Sequence, residues 1–244
     1  MKILIDADYI VYKSCAAAES EVDFGNDVIL VTSNFTDAYN AAKREITRIE
    51  QKLGNFSTTI LFFSDSVNFR KNILPSYKGH RNRKKPLLEG DDALGIYATK
   101  FPGNIIVSPD KDMKQIPGQL YNFDDVFTIT AEEGAKWHLL QTMAGDNTDG
   151  YAGVPTIGIK RAEKIFEEKG YTWKAVVETF EEKGMTEEDA LTNARLAKIL
   201  TADDYDFQRK EPKLWSPSSD YKVDDGAGSK DEANSRQTKT KACK

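Results

Sequence analysis

The sequence predicts an α/β fold, in which helices cover a mostly parallel central sheet, followed by a helical region. Through the first half of the chain, short apolar runs rich in β-branched residues alternate with stretches of helical periodicity. This alternation favours parallel strands, because a parallel connection needs a long crossover that is usually a helix. From about position 131 onward strand patterns fade and only helical patterns continue.

The predicted elements are short strands separated by longer segments. Strands are predicted over KILID (2–6), TTILFF (58–63), NIIVS (104–108) and QLYNF (119–123). One helix covers 35–53 and ends at Gly54, and another covers 91–101 and is stopped by Pro102-Gly103. Four helical patterns make up the second half: EEGAKWHLLQTMA, KRAEKIFEEKG, WKAVVETFEEKG and EEDALTNARLAKILT.

The chain divides into three predicted parts. We expect an α/β catalytic core over 1–128 with a short basic segment at 66–88, a helical region over 129–215, and a disordered tail over 216–244, where apolar residues are few. No apolar run approaches the roughly 20 residues of a membrane span. The two cysteines lie far apart and form no disulfide framework, so a reduced cytoplasmic protein is expected.

Acidic residues follow each of the first three predicted strands. KILI ends in Asp6 and Asp8, ILFFS ends in Asp65, and NIIVSP ends in Asp110 and Asp112. In an open α/β sheet the carboxyl ends of parallel strands meet along one edge, where ligands bind. Further acids begin the helix at 91–101 or precede a glycine-punctuated turn: Glu89, Asp91, Asp92, Asp146 and Asp149.

Such a cluster of carboxylates needs a cation, because like charges within about 4–6 Å raise each other's pKa values. The ligands offered are all oxygens, a set that favours Mg²⁺ or Mn²⁺ over Zn²⁺. Their number suits two ions about 3.5–4 Å apart, the arrangement used in phosphodiester hydrolysis. Any single acid after a strand can instead serve as a helix N-cap or a turn former, and both interpretations stay open.

The net charge of −5 conceals a basic segment. Between positions 70 and 85 there are seven Lys and Arg residues and no acid. A segment of this kind is either a solvated loop or a nucleic-acid contact. If the acids of the strand ends and turn are set aside, the 34 Lys and Arg residues outnumber the remaining members of the 39 Asp and Glu.

The turn GVPTIG (153–158) lies between two predicted helices, directly after Asp146 and Asp149. Glycines allow a tight turn and close approach of the backbone. The N–H groups at the start of the next helix are then free to bind a phosphate, and Lys160 and Arg161 add positive charge. An ordinary helix–helix turn is the alternative.

The motifs together resemble the 5′-nuclease family of flap endonucleases and 5′→3′ exonucleases, most closely the exonucleases of short-tailed bacteriophages. The resemblance spans roughly residues 2 to 215, and the family's fold is a PIN-like core with a helix–turn–helix region. The matching motifs occur in family order: LIDAD (4–8), FFSDSVNFRK (62–71), PSYKGHR (75–81), LEGDD (88–92), SPDKDMKQIP (108–117) and MAGDNTDGYAGVPTIG (143–158).

The resemblance implies two metal sites. Asp112, Asp146 and Asp149 would hold the second ion, with Asp110 a candidate for sharing, and Asp8 would lie behind the ligands. The first ion would be held by some combination of six acids: Asp6, Asp65, Glu89, Asp91, Asp92 and Asp110. The implied ions are two Mg²⁺, for which Mn²⁺ would substitute, and a K⁺ at the 153–158 turn.

The resemblance also implies how DNA is held. Lys78 and Arg81 would steer and stabilise the scissile phosphate as catalytic residues, and Tyr77 would stack on a terminal base or else pack in the core. Thr156 stands where many relatives have glycine. The full set of implied DNA contacts is Arg70, Lys71, Tyr77, Lys78, Arg81, Arg83, Lys84, Gly153, Gly158, Lys160 and Arg161.

The implied function is Mg²⁺-dependent 5′→3′ exonuclease action on duplex DNA, with removal of RNA primers from RNA–DNA hybrids and flap cleavage. The protein would be a monomeric phage protein in the cytoplasm of a bacterial host, without a membrane partner. Two alternatives stay open. One is a haloacid-dehalogenase-like phosphatase, because LIDAD and GDNTD loosely match its acidic motifs, although Gly145-Asp146 follows a helical pattern and not a strand.

The second alternative is a DNA-end-binding relative without catalysis. Only 23 residues separate Asp65 from Glu89, and the helix and strand that relatives have there are missing. Loss of a strand would misplace Glu89, Asp91 and Asp92, or expose an edge of the sheet.

Overall fold

The computed structural model describes residues 1–23, 25, 29–64, 68–78 and 88–217. The strands of this part are β1 (Ile3–Asp6), β2 (Glu19–Asp23), β3 (Ile29–Ser33), β4 (Thr59–Phe62), β5 (Ile105–Val107), β6 (Gly118–Tyr121), β7 (Val126–Ile129), β8 (Gly145–Asp146), β9 (Tyr151–Ala152), β10 (Tyr205–Asp206) and β11 (Glu211–Pro212). The helices are α1 (Ala7–Ala17), α2 (Phe35–Leu53), α3 (Arg70–Ile73), α4 (Gly90–Lys100), α5 (Ala131–Ala144), α6 (Ile159–Lys169), α7 (Trp173–Glu181) and α8 (Glu187–Ala197), and a 3₁₀ turn covers Lys111–Gln115.

The central sheet has five strands in the order β4-β1-β5-β6-β7. The first four are parallel, and β7 pairs antiparallel with β6. The α/β prediction with a mostly parallel sheet is therefore confirmed, and all four predicted strands are present. Because β1 and β5 are parallel neighbours, the residues that follow them emerge side by side at the carboxyl end of the sheet.

Helices cover both faces of the sheet, so β1 is buried on both sides, as expected for a parallel strand. Leu4 packs with Leu94 of α4 on one face. Ile3 and Ile5 pack on the other face with Ile10 of α1 and Ile49 of α2. The alternation of strand side chains thus connects the sheet to both layers of helices.

The helices begin at polar caps that the sequence carries locally. Thr130 and Glu133 form a reciprocal capping box at the start of α5, and Thr186 with Asp189 does the same for α8. Asn34 accepts backbone N–H groups at the start of α2. The helices predicted at 35–53, 91–101 and in the second half are all present, and each of them except α6, whose N-cap is Gly158, begins at a polar N-cap residue.

The helical region has a core of its own. Leu139 and Met143 of α5 pack with Phe166 of α6 and with Val176 and Phe180 of α7. The C-terminal stretch closes over this region where Trp215 contacts the rings of His138 and Trp173. Residues from 218 onward, most of the predicted tail, lie outside the described part of the chain.

Several elements had no counterpart in the predictions: α1, α3, the 3₁₀ turn, β7 and the two-stranded pairs β2–β3, β8–β9 and β10–β11. Helix α1 starts directly at Ala7, because Asp6 accepts the N–H of Tyr9 and caps it. The β2–β3 hairpin lies outside the central sheet and its described side chains are exposed, so it lacks the alternating pattern of a half-buried strand.

The sheet ends at β4, where the sequence suggested that a strand is missing. Leu61 of β4 and the following Phe63 are 40% and 57% exposed, and no strand of the described part pairs with the outer side of β4. This edge is therefore open in the described structure. No helix among the described residues is long and apolar enough to cross a membrane.

Replacement of Leu94 by alanine is expected to destabilise the protein by about 2–5 kcal/mol, because the side chain is fully buried between α4 and the sheet. Denaturant unfolding of the purified variant measures the loss. Leu61→Ala is the matched control, with an expected effect well below that of Leu94→Ala because Leu61 is partly exposed. Equal losses in the two variants would contradict this account of the core.

Candidate active site

A cleft of about 330 Å³ opens at the carboxyl ends of β1 and β5. Its lining is mainly acidic. The acids come from four places along the chain, namely the end of β1, the start of α4, the 3₁₀ turn after β5, and the β8–β9 hairpin. Eight described carboxylates line the cleft: Asp6, Asp8, Glu89, Asp91, Asp110, Asp112, Asp146 and Asp149.

Local structure explains how three of these acids are oriented. Asp6 caps α1, Glu89 occupies the N-cap of α4, and Asp110 caps the 3₁₀ turn through the N–H of Asp112 at 2.8 Å. Ser108, which no sequence pattern singled out, donates to Asp6 Oδ2 at 3.0 Å. The same acid can therefore cap a helix and line the cleft, because a helix that begins at the carboxyl end of a strand places its N-cap residue at the cleft.

The carboxylates repel one another in this arrangement. Burial, followed by the charges of Asp110, Asp6 and Glu89, raises the pKa of Asp91 well above its ordinary value. Burial and then Asp110 raise the pKa of Asp112 to about 7. Asp91 and Asp112 are therefore costly to ionise without a compensating positive charge.

Two lysines supply positive charge at the cleft. Lys78 Nζ lies 2.7 Å from Glu89 Oε1 and 3.3 Å from Asp149 Oδ1, so it joins α4 to the loop between β8 and β9. Lys111 Nζ lies 3.0 Å from Asp146 Oδ2. Burial would raise the pKa of Asp146, but the contact with Lys111 outweighs it and the pKa lies below its ordinary value. Lys111 was not among the predicted site residues, although it stands between two of them in the sequence.

Asp92 does not line the cleft, contrary to the prediction. It is fully buried, and its two oxygens accept from the Arg70 guanidinium at 2.8 and 2.9 Å. Arg70 is itself 0% exposed, so the prediction that it contacts DNA is wrong. The reason is helical geometry, because the adjacent residues Asp91 and Asp92 point in directions about 100° apart on α4.

Tyr77 is a packing residue, the alternative that the sequence left open. It is 2% exposed, stacks against Tyr151, and its hydroxyl lies 3.0 Å from Asp149 Oδ2. Burial raises the pKa of Tyr77, so the hydroxyl stays protonated and donates to the carboxylate. The ring offers no open face for a base, and stacking on a terminal base is therefore ruled out in this conformation.

Several predicted site residues lie outside the described part of the chain or away from the cleft. Lys71 is described on α3 and does not line the cleft. Asp8 does line the cleft, and its Oδ2 atom accepts the N–H of Ser64 at 2.9 Å. The predicted residues outside the described ranges are Asp65, Arg81, Arg83 and Lys84.

The GVPTIG segment forms a tight turn before α6. The N–H of Ile157 donates to Val154 O at 3.0 Å across Pro155 and Thr156, and Thr156 has φ +69°. Proline followed by a positive φ is the pattern of a type II turn, which favours glycine at the second central position. Thr156 is β-branched and is therefore in a strained conformation.

The glycines of this segment have different roles. Gly153 packs backbone to backbone on α5, because an added Cβ would lie 2.1 Å from the carbonyl carbon of Ala144. Gly158 is the N-cap of α6, is exposed, and has no side chain over the first N–H groups of the helix. Lys160 and Arg161 are also exposed, so the start of α6 is accessible from solvent.

The donor set fits a hard divalent cation, since the acidic lining of the cleft offers only oxygens. Among the described residues, however, no group of three or more acidic, His or Cys side chains is placed to hold an ion. Lys78 and Lys111 engage three of the carboxylates that would be needed. A cation that binds Glu89, Asp146 or Asp149 would compete with these two ammonium groups.

Two curated phage proteins match most of the chain. The exodeoxyribonuclease of Enterobacteria phage T3 is 27% identical over 281 residues, which covers 89% of this chain and 93% of that protein. The exonuclease of Escherichia phage T7 is 27% identical over 279 residues, with 88% and 93% covered. The chain is a relative of these phage exonucleases. No protein-family model matches the sequence.

Solved structures of phage 5′-nucleases share the fold. The 5′-exonuclease of phage T5 with bound zinc has a TM-score of 0.57 at 17% identity, covering 81% of this chain and 89% of that one. The flap endonuclease of bacteriophage T5 in a pseudo-enzyme–product complex with DNA and metal ions has a TM-score of 0.55 at 16% identity, with the same coverage. The aligned region of the T3 relative, 281 residues, exceeds the 244 residues of this chain, so the T3 protein has stretches without a counterpart here.

Replacement of Thr156 by glycine is expected to stabilise the protein by about 1 kcal/mol, because glycine adopts the positive φ without strain. Thermal or denaturant unfolding measures the gain. Thr36→Gly, in the exposed first turn of α2, is the control and is expected to lose stability. A loss of stability in Thr156→Gly would show that the turn is not strained at this residue.

The stability gained by Asp112→Asn in metal-free protein is expected to increase with pH. The pKa of Asp112 is raised to about 7, so between about pH 4 and pH 7 the folded state retains a proton that the unfolded state has lost. Wild-type stability therefore falls through this window relative to the variant, by about 4 kcal/mol in total, since one pKa unit corresponds to about 1.4 kcal/mol.

Unfolding of both proteins in a chelator across this pH range tests the expectation. His138, whose pKa burial lowers to about 3, opposes the trend in absolute stability, but it is common to both proteins and cancels in the comparison. Asp124→Asn, in an exposed loop, is the matched control. A stability difference that does not change with pH would contradict the proposed repulsion at Asp112.

Proposed function

We propose that the protein is a divalent-cation-dependent 5′→3′ exonuclease that hydrolyses phosphodiester bonds from the 5′ ends of duplex DNA. The observation that carries the proposal is the cleft of eight carboxylates at the carboxyl edge of the sheet. Clustered carboxylates repel one another, and bound cations would neutralise them. Oxygen ligands of this number suit hard divalent cations and phosphoryl chemistry. The similarity to the T3 and T7 exonucleases supports the same activity.

The proposed ions are two Mg²⁺, with Mn²⁺ as a substitute. Bound divalent ions lower the pKa of water and stabilise negative charge on the phosphate oxygens. Asp112, Asp146 and Asp149 are the proposed ligands of one ion. The proposed ligands of the other are Asp6, Glu89, Asp91 and Asp110, with Asp65 as a further candidate and Asp92 excluded because Arg70 engages it.

Lys78 is the described residue best placed to contact the scissile phosphate. Its ammonium is largely buried in the cleft, and its ion pairs with Glu89 and Asp149 outweigh burial and raise its pKa. Lys78 therefore stays charged throughout the physiological range. When cations neutralise Glu89 and Asp149, this ammonium is free to pair with a phosphate oxygen. Arg81 is proposed to assist it.

The start of α6 is the proposed contact for the duplex backbone. Gly158 leaves the first N–H groups of α6 uncovered, and Lys160 and Arg161 are exposed beside them. The β8–β9 hairpin, which carries Asp146 and Asp149, leads directly into this turn along the chain. A K⁺ ion at the 153–158 turn is part of the proposal, as are RNA–DNA hybrids and flaps as substrates.

The wider setting follows from the relatives. We infer a monomeric phage protein that acts in the cytoplasm of a bacterial host during DNA replication. A phosphatase of the haloacid-dehalogenase type is not supported, because Gly145 and Asp146 follow helix α5 and the fold is that of the T5 nucleases.

A second candidate function is DNA-end binding without cleavage. The observations that favour it are the short stretch between Asp65 and Glu89 and the open edge at β4. Against it, Glu89 and Asp91 still reach the cleft in spite of the short stretch.

Incubation with 5′-phosphorylated duplex DNA and Mg²⁺ is expected to release nucleotides from the 5′ ends. Asp110→Asn combined with Asp112→Asn is expected to reduce the rate by roughly 100-fold or more, because two carboxylates of the proposed ion sites lose their charge. Asp124→Asn combined with Asp125→Asn, in an exposed loop, is the matched control and is expected to retain activity.

Three outcomes separate the candidates. Nucleotide release by the wild type and by the Asp124→Asn/Asp125→Asn control, but not by the Asp110→Asn/Asp112→Asn variant, supports the exonuclease. Binding of DNA ends without cleavage by any of the proteins supports the end-binding candidate. Cleavage that persists in a chelator would count against both, because neither includes cation-independent hydrolysis.

Replacement of both Lys160 and Arg161 by alanine is expected to weaken duplex binding uniformly across sequences. If both residues contact phosphates, the slope of log affinity against log salt concentration falls by about 2. Fluorescence anisotropy at several salt concentrations measures the slope. The double variant Lys174→Ala/Lys183→Ala, on exposed positions elsewhere in the helical region, is the control, and an equal change in that variant would assign the effect to net charge alone.

A further inference from the structure

Arg70 is the most completely engaged buried charge of the described structure. It lies on α3 within the short stretch between β4 and α4, and its side chain is 0% exposed. Nε donates to Leu196 O at 2.9 Å, Nη1 donates to Asp92 and Glu89, and Nη2 donates to Asp92 and Lys198 O. The five N–H groups of the guanidinium thus all have acceptors.

Asp92 fixes the guanidinium from one side. Its two oxygens accept from Nη1 and Nη2, and they also accept the backbone N–H groups of Glu89 and Leu200, each at 3.2 Å. A buried ion pair is tolerated when every donor and acceptor is satisfied, as here. The planar guanidinium has therefore one orientation, which a lysine ammonium would not reproduce.

The remaining contact of Arg70 reaches the cleft. Nη1 lies 3.1 Å from Glu89 Oε2, while the other oxygen of Glu89 faces Lys78 at 2.7 Å. Lys78 lines the cleft, where cations would compete with it for Glu89, whereas Arg70 is buried in the core and does not line the cleft. Arg70 also holds the end of α8, where Leu196, Ala197 and Ile199 form part of the wall of the cleft.

We propose that Arg70 is a positioning residue that holds the Glu89 carboxylate, and with it the wall formed by the end of α8, in the orientation that binds a divalent cation. This inference rests on the proposed function, in which Glu89 is a ligand. It assigns Asp92 to the same task, because Asp92 orients Arg70 and does not itself bind the ion. It also explains how a stretch of only 23 residues before Glu89 places this side chain correctly.

A double-mutant cycle on Mg²⁺ affinity tests the inference. Calorimetry is used to compare wild type, Arg70→Lys, Glu89→Gln and the combination of both. Arg70→Lys is expected to lower Mg²⁺ affinity by about 10-fold or more, the range found when partners behind metal ligands are removed. In the Glu89→Gln background the same change is expected to have an effect below about 2-fold, because the carboxylate that Arg70 positions is absent.

Asp92→Asn is the second variant, chosen because it is isosteric and its fold is expected to survive where that of Arg70→Lys does not. Its amide group would face the guanidinium and loosen Arg70, so Mg²⁺ affinity is expected to fall with intact Glu89 and to stay nearly constant in Glu89→Gln. If Asp92 were a ligand, affinity would fall in both backgrounds, and the inference would be wrong.

Controls and outcomes separate this inference from the proposed function. Arg48→Lys on the exposed face of α2 and Asp124→Asn are the matched controls, and circular dichroism confirms folding. A wild type that binds no Mg²⁺ would overturn the proposed function together with the inference. The inference alone is overturned if the wild type binds Mg²⁺ but Arg70→Lys or Asp92→Asn changes Mg²⁺ affinity by the same factor with intact Glu89 and with Glu89→Gln. It is also overturned if these variants change the affinity in neither background. An effect confined to intact Glu89 supports it.

Discussion

Repulsion among carboxylates at one edge of a parallel sheet is the constraint on which the rest of this structure depends. Strands β1 and β5 lie side by side, so the acids that follow them enter the same cleft. Burial and mutual repulsion raise the pKa values of Asp6, Asp91 and Asp112. Such a cluster lowers the stability of the fold at this end of the sheet unless positive charge compensates the carboxylates.

The surrounding structure compensates in two ways. Lys78 and Lys111 form ion pairs with carboxylates that line the cleft, so they neutralise charge at the site itself. Arg70 is buried and compensates Asp92 and Glu89 permanently. Bound metal ions could thus replace the ammonium groups at the cleft, whereas the Arg70 guanidinium in the core is fixed by its hydrogen bonds.

Sequence patterns predicted the central sheet, the main helices and the identity of most cleft acids. The strands were predictable because they are continuous apolar runs, and α5 and α8 were predictable because capping boxes mark their starts. Helix α1 was not predicted, because the role of Asp6 as its cap becomes visible only when the N–H of Tyr9 is located. The β2–β3 hairpin was not predicted, because it buries little and carries no alternating pattern.

The sequence alone therefore determined that carboxylates follow the strands and that an α/β scaffold gathers them. The strain at Thr156 became visible only from its φ of +69°. Only the tertiary structure decided which acid faces the cleft and which faces the core. Asp91 and Asp92 are identical in type and adjacent in the chain, yet one lines the cleft and the other pairs with Arg70, 22 positions away. The physical reason is that the two side chains leave α4 about 100° apart, and the packing of α3 and α8 against that helix determines what each one meets.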